Sequence, residues 1–293
     1  MSRKFNYTLG FNKILMMILF APINLNIFEE YFNIMKDKFV TYHCENRIGF
    51  ITMIRAEKRN ALNPQIVEEL KIAFETAEKD ETCKVIILQA QGQAFCSGAD
   101  LKYLQSLQSF SHQENIADSS SLMHLFKQIY NLEKVVIAKI QGHAIAGGCG
   151  LASVCDLSIA SDDAKFGYSE VKIGFIPAIV SVFLLVKIGE SKTKELLLTG
   201  KTISSSEAVR IGLINQVVSK DILDDKVYNL ADKLCNQASQ QSLASTKKLI
   251  ANLQSMSLEE GLDFAVEENA KARFNEDCKK GIKSFLNKEK INW

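Results

Sequence analysis

The chain has 293 residues, 47% of them apolar, and its 35 basic side chains nearly balance 34 acidic ones, for a formal net charge of +1. This composition predicts a folded globular protein and argues against a broad nucleic-acid-binding face or an acidic tail. Any anionic ligand must therefore be bound by a few local charges.

The first segment combines basic residues with a short apolar run. Arg3, Lys4 and Lys13 precede the apolar residues 14–20, which resemble the core of a weak signal peptide. Pro22 interrupts the run, no clean cleavage site follows, and the run is too short to span a membrane. A strand pattern begins just after Met35. We therefore expect residues 1–34 to be a dispensable extension outside the fold, and we expect no membrane association.

Strands and helices alternate from residue 38 onward, which predicts an α/β fold with parallel strands. Asn63 is suited to cap a helix and Pro64 to occupy its first turn. The predicted elements are strands 39–43 and 48–54, helix 64–78, strand 85–88, a glycine-bearing loop 92–100, a mobile polar loop or lid 105–121, helix 122–132, strand 135–140, a helix after Gly148, and a strand near 157–160.

Residues 142–170 are the most informative stretch. Gly147 and Gly148 follow a buried strand and open an apolar segment with the pattern of a helix start. The first amides of a helix have no intrahelical acceptor and carry partial positive charge, so they can hold a substrate oxygen that gains negative charge. An isolated carboxylate, Glu170, comes one short helix and strand later. This arrangement favours chemistry on an acyl thioester.

The chain becomes helical after about residue 203, with predicted helices at 205–211, 221–237, 242–253 and 258–274. We divide it into a core, residues 35–203, and a C-terminal helical region, residues 204–293. In the last predicted helix, Leu258, Leu262, Ala265 and Val266 lie on one face. That face packs either on the core of the same chain or against a neighbouring subunit.

Cysteines and histidines exclude two kinds of site. The seven cysteines form no C-x-x-C pair, and their odd number does not suit a disulfide framework, so we expect a reducing, cytoplasmic location. The four histidines lack H-x-x-x-H spacing, and no acidic cluster offers a cage for a hard cation. We therefore predict no metal site. The fingerprints of nucleotide binding and of the serine nucleophile elbow are also missing.

Several ordered segments resemble the enoyl-CoA hydratase/isomerase family, also called the crotonase family, over roughly residues 37–290. They are KRNALN at 58–63, AFCSGADL at 94–101, the glycine turn at 147–148, and the segments 166–177 and 198–214. The resemblance implies a spiral of β-β-α units, a C-terminal helical region that builds trimers, and commonly a hexamer. It also implies an acyl-CoA thioester as ligand and no separate cofactor, because the substrate carries the coenzyme A.

The resemblance implies three catalytic positions. The backbone N–H groups of Ala99 and Gly147 would hold the thioester oxygen, and Glu170 would act as acid and base. Gly150 stands where a two-glutamate hydratase has its first carboxylate, so a single carboxylate remains. We expect an apolar pocket around Glu170, built from residues such as Phe166, Ile173 and Phe175, to raise its pKa.

The coenzyme A contacts are also implied by the resemblance. The positive charges that would contact the coenzyme A phosphates come from Lys58, Arg59 and Lys102. A Lys-Arg pair in a loop is more usually exposed to solvent without a ligand. The remaining residues implied to bind are Ala61, Ala94, Cys96, Ala99, Asp100 and Leu101.

Neighbouring polar residues have simpler interpretations. His143 is a candidate proton donor but more often such a residue is structural, and Asp100 is expected to fix the loop that presents the Ala99 amide. Cys149 and Cys155 are expected to be small buried side chains, and Asp156 to brace a turn.

The expected activity is addition of water across the 2,3 double bond of an enoyl-CoA. Gly150 together with residues 169–178 is similar to the branch of the family that hydrates branched unsaturated acyl-CoAs, notably 3-methylglutaconyl-CoA in leucine breakdown. Two alternatives stay open. One is a single-glutamate enoyl-CoA isomerase, and the other is a non-catalytic acyl-CoA-binding scaffold subunit.

Overall fold

The computed structural model describes residues 38–291 and 293. The strands in this part of the chain are β1 (Val40–Glu45), β2 (Ile48–Met53), β3 (Val85–Ala90), β4 (Ala94–Cys96), β5 (Val135–Ile140), β6 (His143–Ile145), β7 (Leu157–Ser161), β8 (Lys165–Gly167), β9 (Thr202–Ser204) and β10 (Gln216–Val218). They form a six-stranded sheet in the order β1-β2-β3-β5-β7-β10 and a four-stranded sheet in the order β4-β6-β8-β9.

Ten α-helices are described. They are α1 (Pro64–Lys79), α2 (Leu101–Leu107), α3 (His112–Asn131), α4 (Gly147–Val154), α5 (Ala178–Thr199), α6 (Ser205–Arg210), α7 (Leu223–Gln237), α8 (Gln240–Leu253), α9 (Leu258–Ala272) and α10 (Glu276–Asn287). Short 3-10 turns cover Ala56–Lys58, Glu170–Ile173 and Lys220–Ile222. None of the described helices is both long and apolar enough to cross a bilayer.

The larger sheet is mainly parallel, as the alternating pattern predicted. Only its β1–β2 pair is antiparallel, joined by a two-residue turn in which Asn46 and Arg47 have positive φ. Both faces of the sheet are covered: Ile86 packs into one apolar cluster and Ile87 into the other. Parallel strands that are buried on both faces consist of continuous apolar runs, and this pattern identifies them in the sequence.

Helix α1 confirms the prediction made from its capping residues. The side chain of Asn63 accepts a hydrogen bond from the amide of Ile66, and Pro64 opens the first turn. The face carrying Leu70 and Phe74 is buried against the larger sheet. Fully burying an apolar side chain of this size contributes about 1.5–3 kcal/mol.

The prediction of a mobile loop or lid over residues 105–121 is wrong. This segment contains the end of α2 and the first half of α3. Ser111 and Glu114 form a capping box: the amide of Glu114 donates to the Ser111 hydroxyl at 3.3 Å, and the amide of Ser111 donates to the Glu114 carboxylate at 2.7 Å. The helix is polar because only its C-terminal half reaches the core.

The C-terminal region contains the four predicted helices, with ends shifted by a few residues. It also contains two elements that we did not predict, the short strand β10, which pairs parallel to β7, and helix α10. The core sheet therefore continues past residue 203, and our division there stays a prediction. The proposed extension, residues 1–34, lies outside the described residues.

Three lysines hold the C-terminal ends of helices. The ammonium groups of Lys84, Lys134 and Lys187 donate to the last carbonyls of α7, α1 and α4, respectively, at 2.5–3.2 Å. The terminal carbonyls of a helix have no intrahelical donor and carry partial negative charge. A lysine ammonium group supplies the missing hydrogen bonds and offsets this charge.

Candidate active site

The smaller sheet brings three loops to one edge. Strand β4 runs parallel to β6, and β6 runs parallel to β8, with Ala144 opposite both Cys96 and Phe166. The carboxyl ends of parallel strands meet at the same edge of a sheet. The segments that follow these strands are 97–100, 146–147 and 168–170, and they carry the three residues implied to be catalytic.

The amide of Ala99 is directed away from the segment of Leu62. A parallel bridge joins Leu62 to Ala99, in which the Leu62 amide donates to Gly98 O at 2.7 Å and the Asp100 amide donates to Leu62 O at 2.8 Å. Because backbone groups alternate in direction along an extended segment, the N–H of Ala99 faces the opposite side. Nothing in residues 38–291 accepts a hydrogen bond from it.

The amide of Gly147 is the first of helix α4. The preceding residue, Ala146, has φ 51° and ψ −125°, a conformation that is rare for a residue with a side chain. It is held there because its amide donates to Gly167 O at 2.8 Å and its carbonyl accepts from the Gly150 amide at 3.0 Å. The Gly147 amide itself finds no acceptor in the described part of the chain, as expected at a helix start.

The loops that carry these two amides pack directly on each other. Gly98 has φ +90°, and a methyl group in place of its hydrogen would lie 2.9 Å from the Cβ of Ala146 and 3.1 Å from Ile145 O. Only glycine permits this approach without moving a backbone. The residues just before the two amides are therefore in contact, so the segments that carry the Ala99 and Gly147 amides lie side by side.

Glu170 opens the 3-10 turn Glu170–Ile173 that follows β8. Its Oε2 atom is buried, and no described residue forms a hydrogen bond with it. Burial raises the pKa of Glu170 above the usual value for a glutamate, the direction that we predicted. A carboxyl group with a raised pKa suits proton transfer near neutral pH.

The pocket predicted around Glu170 is only partly correct. Phe166 is fully buried, but Ile173, the last residue of the 3-10 turn, and Phe175, two residues after it, are 69% and 54% exposed. Two other buried side chains lie close enough for the charge of Glu170 to act on them. Burial, and to a smaller extent the negative charge of Glu170, raises the pKa of the Cys149 thiol to about 12. Burial, then Cys149 and last Glu170, raise the pKa of the Tyr168 hydroxyl.

A cavity of about 380 Å³ adjoins the Ala99 loop. Its lining consists of Glu57, Lys58, Arg59, Ala61, Ser97, Ala99, Asp100, Leu101 and Lys102. Two of the residues implied to bind coenzyme A, Ala94 and Cys96, are buried in β4 and do not line it. Three basic side chains at this cavity can attract a polyanionic ligand although the whole chain is nearly neutral.

Arg55, which was not predicted, supports two residues that line this cavity. Its guanidinium pairs with the Asp100 carboxylate at 2.8 Å and donates to Ala61 O at 3.2 Å. Asp100 also caps α2 by accepting from the amides of Lys102 and Tyr103. Burial acts to raise the pKa of Asp100, but the hydrogen bonds from these amides and Arg55 outweigh it and lower the pKa. Asp100 thus fixes the loop of Ala99, as predicted.

The other polar residues lie apart from the three loops or act structurally. His143 is exposed at the start of β6, at the end opposite to Gly147. Asp156 accepts from the Val136 amide and from Lys247, both at 2.7 Å, and braces the turn before β7. Cys149 and Cys155 are buried. Within residues 38–291 and 293, no group of three or more His, Cys, Asp or Glu side chains could hold a metal ion.

Comparisons with known proteins give the family of this chain. The family model described as enoyl-CoA hydratase/isomerase matches residues 43–293. A Thermus thermophilus protein whose name contains the words enoyl-CoA hydratase is 39% identical over 244 residues, which cover 83% of this chain and 96% of that protein.

Solved structures show the same fold. A Legionella pneumophila crystal structure whose description includes the words enoyl CoA hydratase/isomerase (crotonase) has a TM-score of 0.81 and 33% identity, with 87% of this chain and 98% of that chain covered. An enoyl-CoA hydratase from Mycobacterium smegmatis has a TM-score of 0.83 and 28% identity, with 88% and 99% covered. The predicted crotonase-like fold and the assignment to an enzyme family are confirmed. The chain belongs to the enoyl-CoA hydratase/isomerase family.

Proposed function

We propose that this protein adds water across the 2,3 double bond of an acyl-CoA thioester, with 3-methylglutaconyl-CoA or a related branched enoyl-CoA as substrate. One observation carries the proposal: two backbone amides that find no acceptor among the described residues, and one half-buried carboxyl group with a buried, unpaired Oε2 atom, follow three neighbouring parallel strands. The names of the Thermus and Mycobacterium relatives support the hydratase activity. Gly150 and residues 169–178 are similar to the branch of the family that acts on branched acyl-CoAs, which supports a branched acyl group in the substrate.

The two amides would stabilise the charge that develops on the thioester oxygen. When water adds to carbon 3, electron density moves through the double bond to this oxygen, and the intermediate resembles an enolate. Donors already directed at the oxygen need no reorganisation, and removing one such donor typically costs about 2.7–4 kcal/mol in the transition state. Both donors are main-chain groups, so side-chain truncation leaves them in place.

Glu170 would move the proton. As a carboxylate it removes a proton from water while the water oxygen forms its bond to carbon 3, and it then returns that proton to carbon 2. The enolate collapses to the thioester, and the product is a 3-hydroxyacyl-CoA with one more water than the substrate. The raised pKa of Glu170 makes both steps accessible to one group near neutral pH.

The test compares wild type with Glu170→Gln on crotonyl-CoA and 3-methylglutaconyl-CoA. Hydration is followed by the loss of enoyl-thioester absorbance and by a product mass increased by one water. We expect Glu170→Gln to reduce kcat by about 10²–10⁴-fold, the usual contribution of a general acid–base group. Glu133→Gln, at an exposed position, serves as the matched control and should leave kcat unchanged. Wild-type protein that hydrates neither substrate would refute the proposal.

The isomerase is the second candidate, because Gly150 leaves one carboxylate at the site. A single carboxylate can carry a proton from one carbon to another, so product analysis on a 3-enoyl-CoA distinguishes double-bond migration from hydration. A third result, acyl-CoA binding with no turnover in either wild type or Glu170→Gln, would identify a non-catalytic scaffold subunit.

We further propose that the chain forms homotrimers or hexamers in a reducing compartment such as the cytoplasm. Leu258, Leu262 and Val266 follow one another on α9 and are all exposed in the single chain, as are Phe285 and Leu286 of α10. Covering these faces would remove apolar surface from water. The seven cysteines, all within the described residues, are free thiols. Native mass spectrometry tests the assembly, and a monomer at micromolar concentration would contradict it.

A further inference from the structure

Two successive residues beside the cavity have a left-handed backbone. Arg59 has φ 51° and Asn60 has φ 53°, directly after the 3-10 turn Ala56–Lys58. This conformation costs free energy for residues with a side chain, and among these asparagine tolerates it best. Such backbone persists only where the surrounding structure holds it, and it is frequent at ligand sites.

The side chain of Asn60 holds this turn from inside the protein. Asn60 is fully buried, and its Nδ2 atom donates to Gln91 O and to Ala94 O, both at 2.9 Å. Its backbone amide donates to Arg55 O at 3.0 Å. Three hydrogen bonds therefore tie this one residue to the turn between β3 and β4 and to the segment that follows β2.

The neighbours of Asn60 in the chain line the cavity, although Asn60 itself does not. They are Lys58, Arg59 and Ala61. Arg59 also reaches a second segment of the lining, because its carbonyl accepts a hydrogen bond from the amide of Ser97 at 3.1 Å. Asn60 thus stands behind the cavity wall, where it contacts the wall and not the contents of the cavity.

We propose that Asn60 is a positioning residue for the coenzyme A part of the ligand, and that it acts through Arg59. By holding the left-handed turn, it keeps the Arg59 guanidinium at the cavity, where that group would bind a phosphate. A cation that is already in place loses less conformational freedom on binding than one on a mobile loop, so it binds the phosphate more tightly. This inference rests on the proposed acyl-CoA site.

Two variants remove the side-chain hydrogen bonds without straining the backbone. Asn60→Gly loses both bonds, and glycine adopts a φ of 53° freely. Asn60→Asp is the milder second variant: it keeps the shape of the side chain, and burial favours its neutral form, which has one donor instead of two. Ser205→Ala is the matched control, because the fully buried Ser205 hydroxyl donates to Asp162 O at 2.9 Å, away from the lining of the cavity.

Calorimetric titration with coenzyme A itself gives Kd, at a temperature well below the Tm of every variant. We expect Asn60→Gly to raise Kd by about tenfold, since one hydrogen bond to a charged group is worth at least that much. Asn60→Asp should raise Kd less. Ser205→Ala should lower Tm and leave Kd unchanged. In an Arg59→Met background, Asn60→Gly should change Kd less than it does alone, because the guanidinium through which it acts is missing.

Each result bears on the inference separately from the proposed hydration. An unchanged Kd in Asn60→Gly, or an increase that is equally large in the Arg59→Met background, would overturn the positioning role. Failure of both Asn60 variants to fold would assign this residue to the fold alone, against the proposal. Wild type that binds coenzyme A but hydrates nothing, with Kd raised in Asn60→Gly, would refute the proposed reaction and support this inference. Wild type that hydrates an acyl-CoA without binding coenzyme A would do the reverse.

Discussion

The Arg55–Asp100 ion pair should stabilise both the fold and the Ala99 loop. The two charged groups are 2.8 Å apart, and their side chains are only 12% and 9% exposed. Removing one partner of a buried pair costs about 3–5 kcal/mol, because the other charge is left without compensation. Since water still reaches part of both groups, we expect Asp100→Asn to lower the free energy of unfolding by about 3 kcal/mol, at the lower end of that range.

Urea unfolding followed by circular dichroism measures this loss. Asp163→Asn is the matched control: Asp163 also pairs with a cation, Lys220, at 2.9 Å, but both side chains are more than half exposed. Exposed pairs of this kind contribute about 0–1 kcal/mol. The double variant Arg55→Met/Asp100→Asn should cost less than the sum of its single changes, because it leaves no orphan charge.

Asp100→Asn should also lower kcat. Asp100 holds the loop that presents the Ala99 amide, and a displacement of about 1 Å at a donor can cost about 10²-fold in rate. We therefore expect kcat to fall in Asp100→Asn by about 10–100-fold. A loss of stability below about 1 kcal/mol, the value for an exposed pair, or strict additivity in the double variant would refute the reasoning.

Three further predictions follow from the charges and thiols. Burial raises the pKa of Glu170 in the folded protein above its unfolded value near 4.5. The stability that the protonated side chain contributes is therefore complete below that unfolded pKa and is lost as the pH rises through the folded pKa. Glu170→Gln should have a higher Tm than wild type at neutral pH and an equal Tm in acid, as thermal unfolding at the two pH values can show. Replacing Arg59 with Met should raise KM for the acyl-CoA without changing kcat, since a phosphate contact acts equally in ground and transition states; a change in kcat alone would contradict this. Burial raises the pKa of Cys96 and Cys155 to about 12. A thiol reagent at pH 8 should therefore label the half-buried Cys44 and Cys278 first, and Cys96 and Cys155 only on unfolding, as peptide mapping can show.

The elements that the sequence predicted correctly have local causes. Asn63 and Pro64 fix the start of α1 through contacts no more than three residues apart in the chain, and the glycines at 147 and 148 mark the start of α4. Such signals need no knowledge of distant residues. The capping box of Ser111 and Glu114 was also a local signal, but it was overlooked because the polar segment that follows it has no apolar periodicity.

The features that were missed depend on distant parts of the chain. Arg55 meets Asp100 only because Leu62 bridges to Ala99, a pairing that no local pattern encodes. Ile173 and Phe175 are apolar and close to Glu170 in sequence, yet both side chains are exposed in the folded chain. The three-residue strands β4, β6 and β8 are too short for a periodic pattern, although their register brings together the loops that carry Ala99, Gly147 and Glu170.

The lysines that hold helix ends have a consequence for a protein that handles thioesters. A thioester slowly acylates free amines, and acylation removes the positive charge of a lysine. The amines of Lys84, Lys134 and Lys187 are engaged with carbonyl groups inside the fold, so an activated acyl group meets the exposed lysines first. The charges on which the helix ends depend are therefore shielded from the reactivity of the proposed substrate.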